Sequence, residues 1–286
     1  MRGDDLRARL GTGEPVLMPG VWDALSVRLA AEAGFDTVFL SGYCVSGTQL
    51  GLPDFGYLTQ PEMAEVARRV CAASTETMVI VDGDTGYGNP LNVIRTVQMW
   101  EAAGATGIFL EDQVWPKRCG HMAGKQVVPM DEWLAKLRAA VDHRSHLHIT
   151  ARTDARAAIG LDEAISRARA AIGVGVDAVF VEAPESLEEL EQIAAALPGV
   201  VRVANMVETG KTPLLTPAEL HDLGFDLIVS PLSGLFSAAK ALRDTLATLR
   251  AKGTLREDLD RLVEFDAFGA IVELDRHFTL DEKYRA

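Results

Sequence analysis

The apolar residues of this chain recur in short runs with a steady rhythm: a β-branched and apolar segment, a polar or glycine-containing break, then a stretch with helical periodicity. The runs are VLMPG from Val16, TVFLSG from Thr37, MVIVDGD from Met78, GIFLED from Gly107, HITARTD from His148, AVFVEAP from Ala178, VRVANMV from Val201 and LIVSP from Leu227, which predicts eight strands. Amphipathic helices are predicted between them over residues 23–33, 61–73, 91–103, 162–174 and 187–197, several opened by the Pro, Asp or Asn that favours a helix start. Strand and helix in alternation imply parallel strands joined by crossover helices. The segments AGFDTVFLSG, AGATGIFLED, VGVDAVFVEA and LGFDLIVSP repeat one unit, a helix-ending Gly followed by an apolar strand. Eight such units predict an α/β chain closed into a (β/α)₈ TIM barrel rather than an open doubly wound sheet.

Beyond the eighth run, residues 233–252 read as helix, and REDLDRLVEFDAFGAIVELDRHF from Arg256 adds helix with apolar residues at mixed spacing. The expected organisation is one barrel domain over residues 1–286, with 233–286 as a helical extension that a barrel does not itself require. Such an apolar tail is expected either to pack on another subunit or to cap its own barrel.

Composition narrows the function. With 286 residues and 48% hydrophobic content the chain can bury one large core. Its net charge is −13 and its basic residues cluster in nothing longer than pairs, which makes nucleic acid and anionic membrane poor partners. The N-terminus MRGDDLRARL has no apolar core of a signal peptide, and no run approaches the roughly 18 apolar residues of a membrane helix, so a soluble, cytoplasmic protein is expected. Three cysteines, Cys44, Cys71 and Cys119, show no metal-site spacing and predict neither a disulfide framework nor a zinc knuckle. No G-x-G-x-x-G follows the first strand and no G-x-x-x-x-G-K-[ST] occurs.

In a (β/α)₈ barrel the polar residues at the C-terminal strand ends face the active site. Those ends carry Ser41-Gly42-Tyr43, Asp82-Gly83-Asp84, Glu111-Asp112, Arg152-Thr153-Asp154, Glu182 and Asn205. Asp82 and Asp84 are two apart, so on a regular strand they share a face, and Glu111 comes from the next strand. Three carboxylates without histidine or thiol partners describe a hard, oxygen-liganded cation, Mg²⁺ above all, with Asp84 as the direct ligand. The alternative is that these acids cap helices or pair with Lys and Arg. Arg152 can meet a substrate carboxylate bidentately, or can form a structural ion pair with Asp154 or Glu182. Backbone N–H groups around Ser41, Gly42 and Tyr43 could cradle a carboxylate as well.

Cys119 lies in EDQVWPKRCGHMAGK, where Lys117, Arg118 and His121 are placed to stabilise a thiolate. A thiol of lowered pKa suits general acid-base work on carbon. A covalent nucleophile and an incidental loop thiol are the alternatives. Cys71 falls in a helix pattern and is expected in the core, with Cys44 at the pocket lining.

The motif DGDTGYG at Asp82, KRCGH at Lys117, and the stretches SGYCVSGTQLGLPDFG and ANMVETGKTPL resemble the isocitrate lyase/phosphoenolpyruvate mutase superfamily, and the resemblance runs from about Val16 to the C-terminus. KRCGH is similar to the signature of its lyase branch, whose cysteine is the catalytic acid-base. The resemblance implies Mg²⁺, with Mn²⁺ able to substitute, held directly by Asp84 and largely through water by Asp82 and Glu111. It implies catalytic roles for Cys119, Lys117, Arg152, Glu182 and Tyr43, with Lys117 and Cys119 on a mobile loop. Substrate contacts are implied for Ser41, Gly42, Tyr43, Asp54, His121, Arg152, Glu182 and Asn205. Its fold implies a last helix exchanged between subunits of a homotetramer, a dimer of helix-swapped dimers. The expected activity is Mg²⁺-dependent carbon–carbon cleavage of a small 2-hydroxy- or 2-oxo-dicarboxylate of 2-alkylmalate, 2,3-dimethylmalate or 2-methylisocitrate type. Two alternatives are an oxaloacetate acetylhydrolase and a non-catalytic barrel that binds metal carboxylates. One departure stands out: the bulk of Tyr43 leaves less room for a third carboxylate than the smaller residues usual there in methylisocitrate and isocitrate lyases.

Overall fold

Eight parallel strands close into a barrel in sequence order in the computed structural model, which describes residues 3–74, 76–119 and 124–285. They are β1 (Val16–Val21), β2 (Thr37–Leu40), β3 (Met78–Asp82), β4 (Gly107–Glu111), β5 (His148–Thr153), β6 (Ala178–Val181), β7 (Val201–Asn205) and β8 (Leu227–Ser230), with β1 pairing to β8. The helices are α1 (Gly3–Leu10), α2 (Ala24–Glu32), α3 (Gly42–Val45), α4 (Gln60–Ala73), α5 (Pro90–Ala103), α6 (Met130–His143), α7 (Ala155–Ala158), α8 (Leu161–Ile172), α9 (Leu187–Ala196), α10 (Pro217–Asp222), α11 (Ser233–Lys252), α12 (Phe265–Ile271) and α13 (Leu274–Tyr284). The (β/α)₈ barrel read from the alternation of patterns is the fold, and each strand lies within its predicted run except β1, which extends one residue further, to Val21. Helix starts follow local chemistry. Thr59, Asn89 and Thr216 close capping boxes on α4, α5 and α10, each with Pro in the first turn, so the orphan N–H groups are met before any tertiary contact forms.

Two cores fill the barrel because strand side chains alternate. Met18, Phe39, Met78, Ile80, Phe109, Ala178, Phe180, Val203, Leu227 and Val229 pack inside it, joined by Leu6 of α1. The intervening residues, such as Val79, Val81, Ile108, Leu110, Ile149, Ala151 and Val179, pack outward against the helices. The inward parity, carried two residues on from Phe39, Ile80, Phe109, Phe180 and Val203, reaches Ser41, Asp82, Glu111, Glu182 and Asn205, and on β5 it falls on Arg152. A single rule of alternation therefore delivers six polar side chains to one end of the barrel. At the other end Arg7 of α1 meets Asp177 at 2.8 Å, and Arg144 joins the same carboxylate.

Residues up to Ser233 form one compact unit and those from Gly234 onward a second. The second unit carries most of α11, α12 and α13 and leaves large apolar side chains exposed, with Phe265 86% and Phe278 56% accessible. Among the described residues, no helix is long and apolar enough to cross a membrane.

Candidate active site

The floor of the barrel mouth is apolar: Phe39, Phe109, Phe180 and Val229 line a cavity whose walls are Ser41, Tyr43, Asp54, Asp82, Lys117, Cys119, Arg152, Glu182 and Asn205. Phe109 bridges Phe39 and Phe180, with ring centroids 4.9 and 5.8 Å away. This low-dielectric base strengthens every charge interaction above it.

Asp82 organises the entrance. Its Oδ2 accepts from the Gly42 N–H at 3.3 Å and its Oδ1 from the Asp84 N–H at 3.1 Å. That close approach requires glycine at 42, where a Cβ would lie 2.8 Å from Asp82 Oδ2. The carboxylate cradle expected at Ser41, Gly42 and Tyr43 is thus partly occupied from within, since the Ser41 N–H also donates to Val21 O at 3.1 Å. Strand alternation does not place Asp84 either. β3 ends at Asp82, and Asp84 reaches the mouth through a turn at φ 46°, a left-handed conformation unusual for Asp. Tyr87 and Ala183 share that region at φ 60° and 56°, so unusual backbone gathers at this end of the barrel.

Two buried cations meet the carboxylates. Lys117 Nζ lies 2.8 Å from Asp54 and 2.7 Å from Asp84 Oδ1, the latter off the angle of a hydrogen bond, so that buried oxygen has charge nearby and no hydrogen-bond partner. Arg152 faces Asp154 at 2.9 Å, Glu182 at 3.3 Å and Glu111 at 3.4 Å, its guanidinium 5.4 Å from the centre of the Phe180 ring. The structural ion pairs weighed as the alternative for Arg152 are therefore present, and their charges point into the cavity. Asn205 Nδ2 sits 3.3 Å from both Glu182 oxygens.

Burial pushes the Asp84 carboxyl up to about 7 against the pull of Lys117, and pushes Glu111 well above the carboxylate range against Arg152. Glu111 Oε1 is buried without a hydrogen-bond partner. Oxygen donors alone, two of them raised by burial and each with one oxygen lacking a hydrogen-bond partner, fit a hard divalent cation. Among the described residues no three carboxylate, thiol or imidazole groups converge into a direct ligand cage.

Cys119 is half-buried and lines the cavity with Tyr43. Of the cations in its sequence neighbourhood, Lys117 lies with Asp54 and Asp84, and Arg118 lies 5.8 Å from the centre of the Phe55 ring. His121 lies outside the described residues. Burial, with the nearby Cys119, raises the Tyr43 phenol above its ordinary value and keeps it protonated. Cys44 does not line the cavity. It is buried, its thiol donates to Pro231 O at 3.2 Å, and burial pushes it up to about 12. Cys71, partly buried against the outer core on α4, is likewise pushed up to about 12.

Three supporting residues received no role from the sequence, although Asp112 stands among the strand-end acids. Asp112 follows the outward parity of β4 and binds Thr153 Oγ1 at 2.6 Å, the Asp154 N–H at 2.8 Å and Arg167 at 3.0 Å, a structural hub beneath the site. Lys125 reaches Asp154 at 2.6 Å, and Gln113 holds the Arg118 peptide at 2.8 and 3.0 Å. Parity could have flagged Asp112. No local signal marks Lys125 or Gln113, whose partners lie across loops.

A barrel mouth ringed by carboxylates, with two buried cations and a thiol over an aromatic floor, is the site of an enzyme that handles small anionic substrates. The family model described as phosphoenolpyruvate phosphomutase matches residues 6–250. The chain belongs to the isocitrate lyase/phosphoenolpyruvate mutase superfamily, as its motifs led us to expect, which sets aside the non-catalytic alternative. It is 48% identical over 272 residues to the petal death protein of Dianthus caryophyllus, covering 94% of this chain and 85% of that one. It is 49% identical over 274 residues to the chloroplastic carboxyvinyl-carboxyphosphonate phosphorylmutase of Arabidopsis thaliana (94% and 80%). Against 2,3-dimethylmalate lyase of Eubacterium barkeri the figure is 41% over 281 residues (98% and 96%). Among solved structures, one of 2,3-dimethylmalate lyase superposes with TM-score 0.94 at 34% identity (99% and 95% covered). An oxaloacetate acetylhydrolase bound to 3,3-difluorooxalacetate gives 0.91 at 35% (96% and 93%). A phosphonopyruvate hydrolase in complex with oxalate and Mg²⁺ gives 0.90 at 28% (100% of each).

Proposed function

We propose that the protein is a Mg²⁺-dependent carbon–carbon lyase that cleaves a small 2-hydroxy- or 2-oxo-dicarboxylate of 2-alkylmalate, 2,3-dimethylmalate or 2-methylisocitrate type to a 2-oxo acid and a second carboxylic acid. The observation that carries this is the thiol of Cys119 in one cavity with Arg152, Glu182 and Asp82. Kinship to 2,3-dimethylmalate lyase over 98% of the chain supports it.

When bound, a divalent cation, Mg²⁺ or in its place Mn²⁺, supplies Lewis acidity to the substrate's carboxylate and neighbouring oxygen. Asp84 would hold it directly, with Asp82 and Glu111 acting through water. The guanidinium of Arg152, kept in place by Asp154 and its stacking on Phe180, binds the substrate carboxylate. Glu182, oriented by Asn205, accepts the hydroxyl proton. The raised phenol of Tyr43 suits it to donate a hydrogen bond to a substrate oxygen, and removes it as the base. As the C2–C3 bond breaks, its electron pair passes to the carbon of the departing acid, and the Cys119 thiol delivers a proton there. Ser41 and Asp54 line the same walls, with Lys117 closing over them. Phe39, Phe109 and Val229 keep water from the floor.

An oxaloacetate acetylhydrolase is the second reading, favoured by the 0.91 TM-score to that enzyme. Comparing kcat/KM for oxaloacetate with a panel of 2-alkylmalates and isocitrates separates the two. The test of the mechanism is Cys119→Ser, which keeps shape but replaces the thiol with a far weaker acid. We expect kcat to fall about 10²- to 10⁴-fold with oxalate binding in Mg²⁺ retained. An unchanged kcat, or oxalate binding lost together with activity, would make Cys119 structural. Asp84→Ala should abolish activity and Mg²⁺ affinity together, and full activity in excess EDTA would rule out the metal.

A further inference from the structure

The thiol that the proposed reaction needs sits on a peptide held by a side chain that is not among those lining the cavity. Gln113 lies two residues past the end of β4. Its backbone pairs antiparallel with Val127, flanked by Val114 N–H to Gln126 O at 2.8 Å and Val128 N–H to Asp112 O at 2.9 Å. From this short ribbon the Gln113 amide, 2% exposed, closes a two-bond clasp on Arg118: its Nε2 donates to Arg118 O at 2.8 Å, and the Arg118 N–H donates to its Oε1 at 3.0 Å. Arg118 O belongs to the peptide that joins it to Cys119. One residue earlier, Lys117 is pinned by Asp54 and Asp84, all three side chains nearly inaccessible.

A buried carboxamide presents one donor and one acceptor in a plane, which is what a backbone N–H and C=O of the same residue require. A carboxylate of the same shape keeps the acceptor but turns a second oxygen onto the Arg118 carbonyl, and Ala removes both partners. We infer that Gln113 is a positioning residue for Cys119: by fixing the Arg118 peptide it sets where the thiol stands relative to the substrate carbon. The inference rests on the reading of Cys119 as the carbon acid.

The experiment uses the full-length enzyme with Mg²⁺ and compares Gln113→Glu and Gln113→Ala, with Gln113→Asn as a milder variant should either fail to fold. Three readouts are taken: kcat, the dissociation constant of oxalate, and the rate of tryptic cleavage at the Arg118–Cys119 bond. A displacement of about 1 Å at a catalytic group costs on the order of 10²-fold in rate. Accordingly kcat should fall roughly 10- to 100-fold with oxalate affinity nearly unchanged, and cleavage after Arg118 should accelerate. Combined with Cys119→Ser, Gln113→Glu should add almost nothing, because the residue acts through the thiol. Wild-type kcat in the Gln113 variants, losses that multiply with that of Cys119→Ser, or unchanged cleavage at Arg118 would overturn the inference. A Cys119→Ser enzyme with full kcat would instead overturn the acid-base reading, while the cleavage rate still reports whether Gln113 holds the peptide.

Discussion

Arg152 faces three carboxylates with one charge. Asp154, the nearest at 2.9 Å, is shared with Lys125, whose ammonium lies 2.6 Å away and whose side chain is 1% exposed. Burial alone would raise the Asp154 carboxyl, yet Arg152 and Lys125 together hold it at about 2. In the proposed reaction, Lys125 thereby leaves part of the Arg152 charge for a substrate. Breaking a buried pair leaves an uncompensated charge, so Lys125→Met should lower stability by about 3–5 kcal/mol in chemical denaturation, with Lys125→Arg recovering part of it. His148 makes a second test at this scale. Burial, with Arg7 and Arg144 nearby, depresses its imidazole to about 4 from 6.5, with Asp177 opposing. Between those values the unfolded chain binds a proton that the folded chain does not, so stability falls as pH drops from about 6.5 to about 4. The full effect is on the order of 3 kcal/mol at about 1.4 kcal/mol per unit. His148→Leu should flatten that acid limb in denaturation measured across pH; an unaltered limb would place the titration elsewhere.

At the scale of elements, the turn after β3 sets where the acids proposed to hold the metal stand. A Cβ on Gly83 would meet Phe109 O and Ile108 Cγ1, each at 2.6 Å, so the turn lies flat against β4 only with glycine there. Gly83→Ala should force β3 and β4 apart locally and shift Asp82 and Asp84 together. We expect Mg²⁺ affinity to fall about 10- to 100-fold by calorimetry, comparable to disturbing the support of a metal ligand, with the barrel still folded by circular dichroism. Retained affinity would show that the turn tolerates a side chain.

At the scale of the whole molecule, the C-terminal unit exposes apolar surface that a barrel does not need. Leu242 and Leu246 of α11 are each 61% exposed, and Phe265 and Tyr284 reach 86% and 73%. Several large apolar side chains exposed in one unit point to an interaction surface. We expect a homotetramer of helix-exchanged pairs by sedimentation, and truncation before Arg256 should uncover apolar surface and cause aggregation. A stable, active, monomeric truncation would refute that assembly.

The sequence by itself determined the barrel, because parallel strands buried on both faces read as apolar runs and their crossover helices carry their own caps. It also determined the polar strand ends, because the inward parity of Phe39, Phe109 and Phe180 extends to Ser41, Glu111 and Glu182. Asp54 entered only through the motif resemblance, since it lies on no strand. What tertiary structure alone decided is how those charges are shared. The Gly42 amide is taken by Asp82, Lys117 is paired with Asp54 and Asp84, and Arg152 is divided among three acids. Lys125 and Gln113 gained their partners the same way, at sequence separations of 29 and 5 residues. Alternation along a strand is local and survives in one dimension. The pairing of a buried charge depends on every other charge that folding brings within a few ångströms, and no spacing along the chain encodes it.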